Sequence, residues 1–262
     1  MKMKLKTLVV ALAVIGCTSC VGVTDKAMSM ADSIMNKTIT HTVEEGEFNK
    51  FYNFNNFSAI EAEGFCHIIF TQSEGYSVKV SSNYPEVLDM MKVDKSNNKL
   101  KLTSKKKASL KDYDDAFINV FVSAPVLEKV DMSGACGLTC DNLSVDNGLS
   151  LDVSGASNLK FGTVDCKSLN MDASGTVKVT GTFVVKNDVE WEASGAAIAD
   201  LDFTADKIRL ESSGAVKMDA KVNCKKLKVI NDGAGTITLK GKAEKTDFSQ
   251  AIAARINTNG LN

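Results

Sequence analysis

Proline, histidine and aromatic residues are scarce in this chain. Its 262 residues include 2 Pro, 2 His and 1 Trp, and aromatic residues make up 6% of the whole. The two histidines, His41 and His67, complete no Ser/His/Asp arrangement, so we expect no catalytic serine. The 18 glycines are spread along the chain, which is typical of turns in a repeating β structure and not of a flexible linker.

Charge of either sign is also not in excess. The 31 Lys and Arg residues are balanced by 32 Asp and Glu residues, which gives a formal net charge of -1. Nucleic-acid binding needs clustered positive charge that displaces counterions from phosphates, so we expect no nucleic-acid partner. The hydrophobic share of 44% is sufficient for a substantial core and excludes general disorder.

The N-terminal segment has the pattern of an export signal. Three lysines within the first six residues precede an apolar run over 8–15, which is too short to span a bilayer as a mature helix. The run ends in Val14-Ile15-Gly16-Cys17, which resembles the lipobox of bacterial lipoproteins, where the Cys is diacylated and becomes the new N-terminus. We predict a lipoprotein signal peptide over 1–20, with lipidation at Cys17 or, alternatively, at Cys20. The membrane partner would then be reached through the lipid.

Five further cysteines remain, and their odd number argues against a complete disulfide framework in an exported chain. They are Cys66, Cys136, Cys140, Cys166 and Cys224. Cys136 and Cys140 would lie about 13 Å apart in an extended strand, too far for a bridge, and their spacing is not that of C-x-x-C metal or redox sites. We interpret all five as small buried hydrophobic residues and expect no metal site and no cofactor.

A repeat with a period near twenty residues begins at Asp131. Each unit carries an acidic residue and, in most units, a Ser-Gly pair followed by a small residue, and the glycines follow at intervals of 21, 20, 20, 19 and 19 residues. We predict that these glycines form structural corners, because a residue without Cβ can adopt positive φ: Gly134, Gly155, Gly175, Gly195, Gly214 and Gly233. Apolar residues four and six positions before each Gly alternate with polar ones, which indicates half-buried strands.

A twenty-residue unit cannot bury its apolar face alone, whereas stacked units bury one another's faces. We therefore predict an all-β fold, a single-stranded parallel β-helix (solenoid) with about 20 residues per coil. Residues 21–50 are interpreted as a tether and 51–262 as the β-helix domain. This domain is divided into irregular opening coils (51–128), regular Ser-Gly repeats (129–245) and a degenerate C-terminal cap (246–262). In the opening coils we expect a short helix over 85–91 and strands over 57–62, 65–71, 76–81, 99–103 and 117–122.

The order of several motifs resembles the adhesin family called the head GIN domain, which is common in Bacteroidota lipoproteins. The resemblance covers about residues 50 to 245 and rests on Asn56-Phe57-Ser58-Ala59-Ile60, Phe70-Thr71-Gln72, Tyr76-Ser77-Val78-Lys79-Val80, Leu100-Lys101-Leu102, Ser123-Ala124-Pro125-Val126-Leu127 and the Ser-Gly-Ala words. It implies an exported β-helix-like domain, often described as an adhesin or autotransporter head, and it brings no catalytic residues. The sequence departs from the family pattern at Ala254-Arg255, where a later Ser-Gly is expected.

The repeat also predicts a column of acidic side chains on the outer surface. One acidic residue takes the same place in five successive units: Asp131, Asp152, Asp172, Glu192 and Glu211. Stacked at about 4.8 Å, such charges repel unless cations or basic neighbours intervene; Lys129, Arg209 and Lys228 stand two residues back. We interpret this ladder as a solvated acidic face; the alternative is that it binds Ca²⁺ or a basic surface.

These features predict a lipid-anchored, non-catalytic binding or adhesion module of the cell envelope. Its expected location is the outer membrane, on the periplasmic or the outer face, and its expected partner is an extracellular or envelope protein or a glycan. The alternative is a structural envelope component that self-associates through sheet faces or open coil ends. A carbohydrate-active β-helix enzyme is disfavoured, because Trp191 would point inward and offer no platform for a sugar.

Overall fold

The computed structural model describes residues 44–105, 110, 112–113 and 115–262, and these are almost entirely in strands. The strands are β1 Phe48–Tyr52, β2 Ala59–Gln72, β3 Ser77–Ser82, β4 Met91–Ser96, β5 Lys99–Ser104, β6 Asn119–Ala124, β7 Lys129–Val153, β8 Ala156–Ala173, β9 Thr176–Val185, β10 Asp188–Ala193, β11 Ala196–Ser212, β12 Ala215–Asn231, β13 Ala234–Gln250 and β14 Ala254–Leu261. A short helix, α1, covers Pro85–Leu88.

From β7 onward the chain winds as a regular parallel solenoid. Each residue is paired with the residue one coil further on, as in Met171 with Trp191 and Leu210 with Val229. The offsets in these ladders, 20 and 19 residues, equal the glycine intervals of the same coils. The predicted fold is confirmed, with about six turns and a spacing of about 20 residues.

The apolar positions of the alternating pattern fill the interior of the solenoid. One column, every member of which is at most 2% exposed, consists of Leu149, Leu169, Val189, Ile208 and Leu227. A second column stacks three aromatic rings, with centroid distances of 5.5 Å between Phe161 and Phe183 and 5.6 Å between Phe183 and Phe203. Each coil therefore covers the apolar edge of the next, which is the source of stability in a solenoid.

The opening region differs from a simple coil. β2 is parallel to β7 on one side and to β5 and β6 on the other, but β3 runs antiparallel to β6 and β1. β4 is antiparallel to β5, because the two residues between them, Asn97 and Asn98, form a tight turn in which Asn97 has a φ of 56°. The predicted opening strands are present, whereas β1 and β4 were not predicted.

Both ends of the regular part depart from the predicted boundaries in an informative way. β1 begins at Phe48 and so crosses the boundary placed at residue 51. At the other end β13 continues without interruption to Gln250, and β14 is paired with its first half, from Gly235 to Gly241. In the described chain, the ladder of the second half, 245–250, runs to β12 alone. Its other edge is open.

Candidate functional site

One face of the solenoid concentrates the patterned polar side chains, and we call it the pre-corner face. It is formed by the outward residues of the strand segments that precede the Ser-Gly corners, from 129–133 in the first regular coil to 245–250 in the last. Because side chains alternate across a strand, each segment contributes three outward residues. Stacking of the coils turns these into three columns that run along the solenoid axis.

The first column contains the predicted acidic ladder in register. Asp152 is paired with Asp172, Asp172 with Glu192, and Glu192 with Glu211. Two hydrogen bonds, from Ser150 N to Glu128 O (2.8 Å) and from Ser154 N to Met132 O (2.8 Å), place Asp152 beside Asp131. The acidic column is therefore continuous through five coils.

The column extends one coil further than the repeat predicted, because Glu61 of β2 is in register with Asp131. The sequence contained a signal for this residue: Glu61 precedes Gly64 by three positions, as each ladder acid precedes its own glycine. Glu61 accepts a hydrogen bond from Lys99 Nζ at 2.5 Å and has Lys101 Nζ at 3.5 Å. The hydrogen bond from Lys99 holds the pKa of the Glu61 carboxyl below its ordinary value.

Basic neighbours are found at both ends of the acidic column. At the far end Arg209 forms an ion pair with Glu211, as the position of Arg209 two residues back suggested. Lys228 instead lies 3.6 Å from Asp247 of the next coil. In the part of the chain that the structure describes, no three His, Cys, Asp or Glu side chains converge closely enough to hold a metal ion.

The column on the opposite edge of the pre-corner face becomes basic in the last coils. Lys207 is in register with Asp188 on one side and Lys226 on the other, and Lys226 is in register with Lys245. We call Lys207, Lys226 and Lys245 the lysine column. Lys207 Nζ lies 3.2 Å from Asp188, whereas Lys226 and Lys245 have no carboxylate within 4 Å among the described residues.

The middle column adds Arg209 and Lys228 beside the lysine column. Together the two columns line a groove of about 430 Å³ that runs across four coils and is bordered by Asp188, Glu190 and Asp247. We call it the lysine groove. A neighbouring groove of about 380 Å³, in earlier coils, has instead a lining of small and acidic residues such as Gly148, Ser168 and Glu190.

Charge is thus separated along the solenoid axis, although the chain as a whole is nearly neutral. Residues 128–206 carry 13 acidic and 5 basic side chains, whereas residues 207–245 carry 10 basic and 4 acidic ones. The whole-chain balance concealed this separation. The signal was nevertheless present in the sequence, since Lys207, Lys226 and Lys245 repeat at intervals of 19 residues, the same as the interval of the last glycines.

The predicted corner glycines form their own stack. Gly134, Gly155 and Gly175 have φ values of 94°, 82° and 91°, which favour glycine. The φ angles of Gly195, Gly214 and Gly233 lie outside this region, but a Cβ on any of them would lie about 2 Å from the carbonyl oxygen of the glycine one coil earlier. In the later coils, close approach of the backbones and not φ is what requires glycine.

The remaining predicted residues contribute no chemistry to this face. All five of the later cysteines are buried and unbridged, as predicted. The hydroxyl of Ser154 donates to the Met132 carbonyl, and His67 is hydrogen-bonded with Thr139 at 2.8 Å, away from the serines of the corners. Trp191 is 1% exposed and points inward. Cys17 and Cys20 lie outside the described residues, of which no helix has the length and apolar character needed to cross a membrane.

Two crystal structures share this architecture. That of a putative adhesin from Bacteroides fragilis NCTC 9343 is 17% identical and has a TM-score of 0.61, with 80% of this chain and 95% of that chain covered. That of a putative adhesin from Parabacteroides merdae ATCC 43184 is 16% identical with a TM-score of 0.50, and 82% and 98% of the two chains are covered. No curated protein matches the chain.

The family comparison extends over most of the sequence. Residues 56–184 and 176–262 match the family described as "Putative auto-transporter adhesin, head GIN domain". These two matches include β2 and every coil after it, so they cover both the opening region and the regular repeats. The chain therefore belongs to the head GIN domain family of that description.

Proposed function

We propose that the protein is a lipid-anchored, non-catalytic binding or adhesion module of the cell envelope. The observation that carries the proposal is the pre-corner face, a continuous outer surface on which charged columns run unbroken across successive coils. Such a face offers many evenly spaced contacts to an extended partner. Membership of the adhesin-like family supports the same function.

The lack of a reactive centre on the pre-corner face agrees with a binding function. Its side chains are mainly carboxylates, amines, hydroxyls and amides exposed to solvent. A hydrolase of polysaccharides needs a pair of carboxyl groups at a fixed separation, one of them with a raised pKa. The acidic column is instead a uniform series, in which no single residue is set apart by burial or by a hydrogen-bonded partner that would make it an acid.

The anchor and the attachment function are tested together on cells. Proteinase is added to intact cells that carry the protein, and to cells whose outer membrane has been opened, with Cys17→Ala and Cys20→Ala variants to locate the lipid. We expect cleavage on intact cells and release of the Cys17→Ala variant from the membrane fraction. Deletion of the protein is expected to reduce attachment to host or neighbouring cells. Protection until the outer membrane is opened would overturn the surface adhesion function.

A self-associating envelope component is the second candidate, and the open edge of β13 favours it. Segment 245–250 leaves one row of backbone groups without a ladder partner, and two apolar side chains, Phe248 and Ile252, are exposed beside it. Open strand edges pair readily with other chains. Sedimentation over a range of concentrations tests this candidate: Phe248→Lys should reduce association if the edge forms the contact, and a monomer at all concentrations would exclude it.

A further inference from the structure

We propose that the lysine groove binds a linear acidic polysaccharide, whose anionic groups are held by the lysine column. This inference rests on the proposed binding function and adds the chemical class of the ligand. The groups that carry it are Lys207, Lys226 and Lys245, together with Arg209 and Lys228 of the middle column.

The lysine column is arranged at a cost to the fold that an anionic ligand would offset. Like charges directly opposite one another on paired strands are destabilising. Of the three stacked lysines, Lys207 alone has a carboxylate close by, that of Asp188 at 3.2 Å. Elsewhere on the surface the protein does pair stacked charges between coils, as in Asp202 with Lys221 at 2.8 Å and Asp206 with Lys225 at 2.8 Å. Lys226 and Lys245 therefore stand out as exposed cations left for an external partner.

The direction of the column selects a linear ligand. Register pairs Lys207 with Lys226 and Lys226 with Lys245, so the three amines follow the solenoid axis at steps of about 4.8 Å. A chain molecule that lies along the axis meets all three amines, and Arg209 and Lys228 form the second row beside it. The groove volume of about 430 Å³ falls within the usual range for ligand sites.

The groove lining favours a polysaccharide over other polyanions. No aromatic side chain lines it, so unpaired bases of a single-stranded nucleic acid would find no stacking platform. Asp188, Glu190 and Asp247 border it and would face the phosphates of a flat lipid surface, whereas a narrow chain fits between them. Hydroxyl groups of sugars can also accept hydrogen bonds from the amines and donate to these carboxylates.

Binding of the full-length protein to three polymers tests the inference by calorimetry: polygalacturonate (carboxylate groups), dextran sulfate (sulfate groups) and neutral dextran. We expect binding to at least one acidic polymer and none to dextran; the first two distinguish carboxylate from sulfate as the recognised group. The double variant Lys226→Glu/Lys245→Glu should bind at least about tenfold more weakly. A matched control, Lys221→Glu/Lys240→Glu, changes the net charge equally at another stacked pair, outside the groove, and should alter binding by less than about threefold.

Three results would overturn the inference. They are the absence of binding to either acidic polymer, an equal loss of affinity in the two double variants, and tighter binding to oligothymidylate or to phosphatidylglycerol vesicles than to either polysaccharide. Correct folding of each variant is verified by the fluorescence of Trp191. If the polymers fail to bind while deletion of the protein still reduces cell attachment, the ligand class is wrong and the proposed binding function stands.

Discussion

Glu61 lies beside Asp131 in the acidic column, yet its carboxylate is also bonded to Lys99 on the opposite neighbouring strand. The first acid of the column is therefore neutralised by the opening region. The hydrogen bond from Lys99 lowers the pKa of Glu61, so the ion pair forms at neutral pH. The acidic column thus starts with a charge-compensated residue and ends with another, Glu211, which is paired with Arg209.

Glu61→Gln should reduce the free energy of unfolding at pH 7 by about 0.5 kcal/mol, because a partly exposed ion pair contributes little. Since the folded-state pKa of Glu61 is depressed, this contribution is present above the ordinary carboxyl pKa and is lost as the pH falls through the folded-state value. Urea denaturation at pH 7 and pH 3 should show the difference only at pH 7. The control is Glu63→Gln, an exposed residue of the same strand; an equal effect there would contradict the assignment.

Gly155→Ala should destabilise the fold by about 3 kcal/mol, because it combines backbone strain with overpacking. The φ of Gly155 is 82°, and a Cβ there would lie 2.3 Å from the carbonyl oxygen of Gly134. Thermal unfolding followed by circular dichroism measures the loss. Gly75→Ala is the matched control, since a Cβ at that position has nothing within 4 Å. A similar loss in both variants would show that stacking of the glycines is not what matters.

Trp191→Phe should cost less stability than the lost volume implies. Trp191 is 1% exposed, and its indole N–H has no hydrogen-bond partner, so phenylalanine removes an unsatisfied donor as well as packing atoms. Trp191→Ala keeps no ring and should cost about 3–5 kcal/mol. Chemical denaturation of the two variants gives the comparison; equal losses would mean that the unpaired N–H is not a penalty.

The buried thiols should resist alkylation in the native protein. Burial raises the pKa of Cys140 to about 12 and that of Cys166 and Cys224 to about 11, so at pH 8 these thiols are neutral, and the thiolate is the reactive form. Iodoacetamide followed by mass spectrometry should label them only after unfolding in urea. Labelling of Cys140 at the same rate in native and unfolded protein would contradict its position in the core.

The sequence predicted those parts of the fold that repeat. Alternation of apolar and polar residues located the strands of the regular coils, and the spacing of Gly155 and Gly175 gave the register, because each coil must place its corner on the corner below. The opening region has no such constraint. The pairing partners of β1 and β4 depend on contacts far along the chain, and the turn at Asn97 and Asn98 was the only local sign of β4.

The site was predictable to a smaller extent. The acidic column was found because its residues belong to the repeated word, while Glu61 was missed because the word around Gly64 is degenerate. The lysine column was missed for a different reason: whole-chain charge hides a separation of opposite charges along the axis. Its members lie outside the Ser-Gly word, so only their common interval of 19 residues could have indicated them.

The parallel ladders also determine how the molecule would respond to mechanical force. Hydrogen bonds between coils point along the solenoid axis, so tension between its two ends would separate neighbouring coils one at a time and would not shear many bonds at once. Each detached coil of about 20 residues would lengthen the chain by roughly 60 Å. Under flow, the solenoid would extend in successive small steps that dissipate energy, starting from the last coil, which has a neighbour on one side only.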